Sequence, residues 1–296
     1  MLGHYKYVRE ILDHPLNRNK KTRSLLRYIA WNLGRRMLRE ADYAIQLIPG
    51  TSIVVSNREN YATLAYTCRL YDFEDMLFVL HFLRPGDCFG DFGANVGVYS
   101  VLAGSRGASV LAVEPVPETF ERLCANLRLN CVQAVPVNRG LSDRRQLLFF
   151  TTDKGGMNKV APAAGPNTCE VEVVTADELV RQTALAPCLL KIDVEGYEEP
   201  LLAGAREILS TSLLAIIIEM NESGREYGFS DSSVHSLLLS HGFSPYRYDP
   251  QSRHLTMRDG INRSAFNTLY LKNSALSLLR RRVEEAETVD LPIGRV

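Results

Sequence analysis

The stretch Gly86-Asp87-Cys88-Phe89-Gly90-Asp91-Phe92-Gly93-Ala94-Asn95-Val96-Gly97, followed by Val110-Leu111-Ala112-Val113-Glu114-Pro115, decides the fold. It reads as a strand, a glycine turn, a helix and a second strand that ends in an acid. That is half of a nucleoside-binding α/β crevice. Gly93 and Gly97 remove side chains where the backbone must approach a ligand. Glu114 stands where a doubly wound fold places its ribose-binding acid. A dinucleotide site at this turn receives a pyrophosphate on a helix N-terminus. Asp91 at the strand tip repels such a group and attracts an ammonium or a sulfonium. An adenosine conjugate with a cationic tail, S-adenosylmethionine, is therefore the expected ligand.

Outward from this turn the pattern alternates. A helix over 72–83, stopped by Arg84-Pro85-Gly86, precedes strand one. Strands over 110–114, 132–137, 188–193 and 213–219 follow, with helices over 96–103, 117–130, 198–210 and 232–240. Asp231 is the expected N-cap of the last helix. The third crossover helix is missing; two strands, 146–150 and 170–174, instead flank a loop at 153–168. Segments 243–248 and 267–271 read as a closing hairpin. Such an order gives a mostly parallel sheet with helices on both faces. Its ligand sits beyond the carboxyl ends of the strands. Asp91, Glu114, Ser142, Asp193 and Glu219 all fall at or just past predicted strand ends, so they share one rim.

The 296-residue chain has balanced charge, 34 Lys and Arg against 34 Asp and Glu, which gives no support for bulk nucleic-acid binding. Residues 1 to 40 nevertheless carry ten Lys or Arg and three acids. Residues 1–20 lack periodicity. Residues 22–47 read as one amphipathic helix, with Leu25, Leu26, Ile29, Leu33, Met37, Leu38, Ala41 and Ile45 at helical spacing. A domain-covering element is one reading of this segment; contact with an anionic membrane or a partner helix is the other. No apolar run reaches membrane-span length and no secretory leader is visible. Six scattered cysteines read as free thiols in a reducing compartment, so a cytoplasmic location is expected. The divisions expected are a basic helical extension (1–47), a catalytic domain (48–273) and a charged tail (274–296), helical near 276–285.

The chain resembles the FkbM-type S-adenosylmethionine-dependent methyltransferases. The resemblance rests on Asp-Phe-Gly-Ala-Asn-Val-Gly (91–97), Leu-Arg-Pro-Gly-Asp (83–87), Glu-Pro-Val-Pro-Glu-Thr-Phe (114–120), Leu-Ser-Asp (141–143) and above all Lys-Ile-Asp-Val-Glu-Gly (191–196). It extends through Glu-Met-Asn-Glu (219–222), 241–250 and Asn-Thr-Leu-Tyr (267–270). It implies a Rossmann-like class I fold with a seven-stranded sheet, and O-methylation of a sugar, a glycan or glycolipid precursor, or a secondary metabolite. Polysaccharide or natural product biosynthesis is the expected setting, with S-adenosylhomocysteine as the product. Gly90 departs from the resemblance, since a bulky aliphatic is usual there.

The resemblance assigns Glu114, with Pro115 beside it, to the ribose hydroxyls. Asn95 either positions the methionine part or is an ordinary turn residue. Leu141 and Ser142 follow strand three, where an adenine edge would lie, unless they form a plain turn. Glu74, before strand one, is placed against the donor's ammonium by the family pattern. Asp193 is the leading base for the acceptor hydroxyl and touches the donor site. Glu195 and Glu219 are further candidates, or else cap helices or pair with Lys191, Arg225 or Arg247. His235 and His241 are weaker rivals, and Asn158 is a candidate acceptor contact. Three acids on one rim permit a divalent ion, but no obligatory metal is expected. Competing functions are a protein or nucleic-acid methyltransferase and a catalytically idle binding module. No Asn-Pro-Pro-Tyr motif or Pro-Cys loop follows strand four, which argues against base methylation.

Overall fold

The computed structural model describes residues 2–37, 41–57, 59, 61–291 and 294–295. Helices α1 (Leu2–Asp13) and α2 (Lys21–Met37) lead into a hairpin of β1 (Asp42–Ile48) and β2 (Thr51–Ser56). The helix expected over 22–47 thus stops early: Ile45 belongs to the hairpin and Ala41 stands just before it, while Leu38 lies outside the described residues, as do Arg39 and Glu40. Of residues 1–20, whose lack of periodicity left disorder and partial helix both open, 2–13 are helical. Helices α3 (Ala62–Cys68) and α4 (Phe73–Phe82) follow.

The alternating core comprises β3 (Cys88–Phe92), α5 (Val98–Gly104), β4 (Ser109–Val113), α6 (Pro117–Leu129) and β5 (Ala134–Val137). Pro117 opens α6, where its missing N–H costs nothing. Next comes a small sheet built from β6 (Gly140–Leu141), β7 (Gln146–Thr151), β8 (Val160–Ala161) and β9 (Thr168–Val174). The crossover helix expected to be missing is present as α7 (Ala176–Thr183), capped by Thr175, whose hydroxyl accepts the Glu178 N–H. Strand β10 (Leu189–Ile192) feeds α8 (Glu198–Ala203) and α9 (Arg206–Ser210), which replace the single helix expected. Then come β11 (Ala215–Glu219), α10 (Asp231–Ser240), β12 (Phe243–Asp249), β13 (His254–Met257), β14 (Asn267–Lys272), α11 (Leu276–Glu284) and a short pair, β15 (Asp290–Leu291) with β16 (Gly294–Arg295). Ser230, not Asp231, caps α10 by accepting the Ser233 N–H.

The main sheet runs β13-β12-β14-β11-β10-β3-β4-β5. Strands β11, β10, β3, β4 and β5 are parallel; β14 is antiparallel to β11, and β12 to β14. This is the class I methyltransferase arrangement, extended from seven strands to eight by β13. Period-two alternation divides the apolar residues between two covered faces. Ala215 and Ile217 join Phe89, Val110 and Leu271 on the face under α4, α5 and α11. Ile216 and Ile218 join Phe92, Leu111 and Tyr270 on the face under α7 to α10.

Leu16 from the turn between α1 and α2, Trp31 from α2, Ile45 from β1, and Leu279 and Val283 from α11 all enter the first cluster. The divisions expected at 47 and 273 therefore fall inside one shared core. Gly90 makes way for a side chain of the neighbouring strand β10. The space that its side chain would occupy is filled by Leu190, whose Cδ2 lies 2.3 Å from an ideal Cβ.

The hairpin is locked to α6 by two side-chain amides. Asn126 Oδ1 accepts the Val54 N–H at 2.8 Å, and its Nδ2 donates to Val54 O at 3.1 Å and to Val96 O at 2.9 Å. Asn130, just past the helix, repeats the pair on Ser52, at 2.9 and 2.7 Å. Four helical residues rise ~6 Å and two strand residues ~6.6 Å, so the two amides match alternate residues of β2 and act as a surrogate strand. Asn126→Ala strands the half-buried Val54 and buried Val96 backbone groups and is expected to cost ~1–3 kcal/mol. Thermal denaturation checks this; a Tm equal to that of the parent chain contradicts it.

Candidate active site

Two adjoining cavities open at the carboxyl ends of the parallel strands. One is lined by Gly93, Glu114, Pro115, Leu141, Phe150 and Glu195, with Asn158 at its wall. The other is lined by Tyr71, Asp72, Asp91, Tyr99, Lys191 and Glu219, with Asn267 beside them. Gly93, Asn95, Gly156 and Asp193 border both, so they mark the junction.

The junction follows from sheet register. Strands β3 and β10 pair in parallel through Phe92 and Ile192, and the Asp193 N–H extends the ladder to Phe92 O at 2.9 Å. Gly93 then turns with φ +81°, and an ideal Cβ on it would lie 1.8 Å from Asp193 O. Any side chain there would collide with backbone. Gly97 serves packing rather than ligand approach. It borders neither cavity; it starts α5 with φ +90°, and a Cβ would lie 2.6 Å from Leu123 Cδ1.

Glu114 is buried, and both of its oxygens hold backbone. Oε2 accepts the Asn95 N–H at 2.9 Å and Oε1 the Val116 N–H at 3.0 Å. The acid thus fixes the glycine turn while keeping further lone pairs at the cavity wall. Asn95 adopts φ +50°, and its Oδ1 accepts the Val96 N–H at 2.8 Å, so its oxygen is spent on the turn. Pro115 and Leu141 line the first cavity. Ser142 does not: it is buried, its N–H donates to Val174 O, and its hydroxyl donates to Asp143. Glu74 is likewise displaced, ion-paired with Arg247 at 3.0 Å and outside both walls. Asp72, two residues earlier, lines the second cavity instead and accepts from the Tyr99 hydroxyl at 3.0 Å.

Strand β10 ends at Ile192, so period two does not carry Glu195 to the rim. A tight turn does, with Glu195 at φ +52° and Gly196 at φ +100°. Glu198 Oε1 pins that turn by accepting the Val194 and Gly196 N–H groups, both at 3.2 Å. One oxygen each from Asp193, Glu195 and Glu219 lies within 4.8 Å of the others. That spacing could hold a divalent cation, but a positive charge is already there. The buried Lys191 donates to Asp193 Oδ2 at 3.0 Å and lies 5.5 Å from the centre of the Tyr99 ring. Arg225 and Arg247 are engaged elsewhere, with Glu222 and Glu74. His235 bonds the Tyr270 hydroxyl and His241 contacts Ser210; neither lines the cavities.

The walls are strongly acidic, with six carboxyl groups (Asp72, Asp91, Glu114, Asp193, Glu195, Glu219) against Lys191 and Arg139. Burial pushes Asp72 and Asp91 up to about 6, the latter despite the Ser100 hydroxyl that donates to it at 2.6 Å. Burial pushes Glu114 and Glu195 up to about 7, with Asp193 adding to it. Glu219 is raised furthest, by burial and then by the charge of Asp193, and its Oε2 is buried without a hydrogen-bond partner. Burial alone would lower Lys191, but the carboxylates outweigh it, Asp193 first, and hold it near 12. The cleft therefore carries more negative potential than its own cations offset, and a cationic ligand relieves it.

The small sheet roofs the first cavity with Phe150 and Val160. Its loop is latched by Glu59, whose Oε2 accepts the Gly156 N–H at 3.0 Å and whose Oε1 accepts from Arg122 at 3.1 Å. Asn158 faces both this cavity and a polar neighbour bounded by Asp42, Glu118 and Lys154. Asp72, Tyr99 and Asn267 escaped the sequence reading because each lies on an element whose pattern records only packing.

The family model described as "Methyltransferase FkbM domain" matches residues 91–245, just over half of the chain. The "Hexuronic acid methyltransferase AglP" of Haloferax volcanii is 29% identical over 136 residues, 46% of this chain and 56% of that protein. The "31-O-demethyl-FK506 methyltransferase FkbM" of Streptomyces tacrolimicus is 27% identical over 197 residues, 55% of this chain and 74% of that protein. The chain thus spans little more than half the length of the first of these relatives. Among solved structures, Methyltransferase FkbM from Methylobacillus flagellatus aligns at a TM-score of 0.43 and 17% identity, over 72% of this chain and 55% of that one. The matched span runs from the Asp91 turn through the small sheet and the acidic turn to β12, and over that span the chain belongs to the FkbM methyltransferase family.

Proposed function

We propose that this protein is an S-adenosylmethionine-dependent O-methyltransferase whose acceptor is a hydroxyl on a sugar, a glycan or glycolipid precursor, or a secondary metabolite. One observation carries the reading: Asp193 stands at the junction of two acid-walled cavities, held in place by Lys191. Of the two relatives, the 31-O-demethyl-FK506 methyltransferase favours an oxygen acceptor and the hexuronic acid methyltransferase a sugar-derived one.

The residues fit the donor. Glu114 faces the first cavity with unshared lone pairs suited to ribose hydroxyls, and Pro115 and Leu141 supply flat apolar wall for a base. Asp91 and Asp72 give the second cavity the charge that an ammonium needs, and Gly93 borders both cavities. When bound, S-adenosylmethionine supplies a methyl carbon made electrophilic by its sulfonium.

This chain's residues then have three tasks. The cavity walls align the acceptor oxygen, which is the main requirement when the donor is already activated. Asp193 takes the hydroxyl proton, with Lys191 fixing its rotamer and stabilising its charge. Glu219, whose carboxyl burial and the Asp193 charge push up, offers the acceptor a hydrogen bond in its protonated form. Lys191 also supplies the countercharge that a metal would bring, so methylation is expected to survive EDTA; activity that EDTA abolishes and Mg²⁺ restores contradicts this part of the proposal.

Glu114→Ala is expected to weaken S-adenosylmethionine binding by roughly tenfold to a hundredfold, the loss of one or two hydrogen bonds to a charged acceptor. An unchanged affinity in a calorimetric titration removes Glu114 from the ribose site. Asp193→Asn should keep donor affinity within a few-fold and lower kcat by ~10²–10⁴. Turnover close to that of the parent chain would assign the proton to another group. The pH dependence has a definite sign. Asp91 and Glu114 bind protons up to about 6 and 7 in the free protein, and a cation prefers their charged forms. Donor affinity should therefore rise with pH through 6 to 7, then level off, with protons released on binding. Calorimetry in buffers of different ionisation enthalpy reads both, and an affinity that falls over this range refutes the acid-lined ammonium site.

A further inference from the structure

Helix α2 is amphipathic in the opposite sense to the one expected of a covering element. Its apolar stripe points outward: Leu25, Leu26, Ile29, Leu33 and Met37 are all exposed, Leu26 at 66% and Met37 at 83%. At 3.6 residues per turn these five positions fall within an arc of about 120°. The opposite face is the one docked to the protein. Trp31 is buried there, donating to the Thr63 hydroxyl at 2.8 Å and stacking on Tyr66. Arg27 donates to the Tyr66 carbonyl, and Arg35 donates to Thr63 at 3.2 Å. Packing therefore fixes the helix with its hydrophobic side toward solvent.

The charge around that stripe is mostly basic, with Asp13 pairing Lys21 at 3.0 Å at its N-terminal end. No Asp or Glu occurs between His14 and Met37, whereas seven Lys or Arg do. Arg18, Lys20, Lys21, Arg23 and Arg36 are exposed. On the helix, Lys21 flanks the stripe on one side and Arg23 on the other, and Arg36 stands within it near the last turn. An apolar strip between cationic edges complements a surface that is apolar below and anionic above, over the ~25 Å that a helix of this length covers.

We propose that α2 is a peripheral docking helix for an anionic lipid bilayer. It lies in the interface plane, with Leu26, Ile29 and Leu33 below the headgroups and the basic edges at phosphate level. The bound face is one helix away from the cleft. Helix α2 packs on α3, which contributes Leu64 to the second cavity wall. Docking would hold that cavity beside the bilayer and its amphiphiles. No helix among the described residues is long and apolar enough to cross a membrane, so this contact lies on the surface.

Co-sedimentation of the full chain with vesicles tests the proposal, independently of methyl transfer. The protein should pellet with phosphatidylcholine–phosphatidylglycerol vesicles, not with phosphatidylcholine alone, and should be released by raised salt. Leu26→Glu combined with Leu33→Glu should abolish pelleting with Tm unchanged, because both positions are at the surface. Arg23→Gln and Arg36→Gln should each weaken binding about fivefold, the equivalent of ~1 kcal/mol per basic residue near an anionic surface. Failure to pellet with anionic vesicles overturns the proposal, as does equal pelleting with neutral ones. A vesicle-free dimer by light scattering that the Leu26→Glu, Leu33→Glu pair dissociates also overturns it, by showing that a second copy covers the stripe.

Discussion

The near-contact of two strand exits governs this molecule. Strands β3 and β10 run side by side, and their continuations meet where Gly93 has no side chain and Asp193 presents its carbonyl. That closeness brings the first glycine turn and the acidic turn into one crevice. Without it, Glu114 would hold one loop and Glu195 another, with no shared cavity between them. The apolar faces of the sheet exist in many α/β chains; the steric exception at one residue is what converts them into a site here.

Concentrating carboxyl groups in that crevice has an energetic cost that the fold spreads over several contacts. Glu114 and Glu198 each accept two backbone N–H groups, so two of the buried acids serve as structural staples. Asp91 is held by Ser100 and Asp193 by Lys191. Glu219 alone among the cleft acids keeps a buried oxygen without a partner. Order at the site thus comes from polar groups working on backbone, and the residual negative charge is left for a ligand to meet.

Most of the sheet was legible because its strands are short apolar runs set off by Gly, Pro and Asn. The positions of Asp91, Glu114, Asp193 and Glu219 followed from counting to strand ends. What sequence could not carry was direction. Glu74 and Asp72 are neighbours on a helix start, and only packing decides which one faces the cleft. Ser142 sits beside Leu141, yet one lines the cavity and the other is sealed against β9. Glu195 reached the rim by a positive-φ turn that strand periodicity does not describe. In α2 the apolar spacing was read correctly as amphipathic, but spacing says nothing about which face the protein keeps for itself. Helix α7 escaped because its eight residues carry only three that are apolar.

The surrogate pairing of Asn126 and Asn130 with β2 also bears on how the chain behaves in a crowd of its own copies. A two-stranded hairpin ordinarily leaves an open edge that can template another molecule. Here the amides occupy that edge. At the far margin of the main sheet, β5 pairs Pro136 with Ala112 and so lacks one donor along its outer side. Two of the margins most exposed to runaway strand addition are thereby blunted by single side chains, which favours a chain that stays dispersed while it folds.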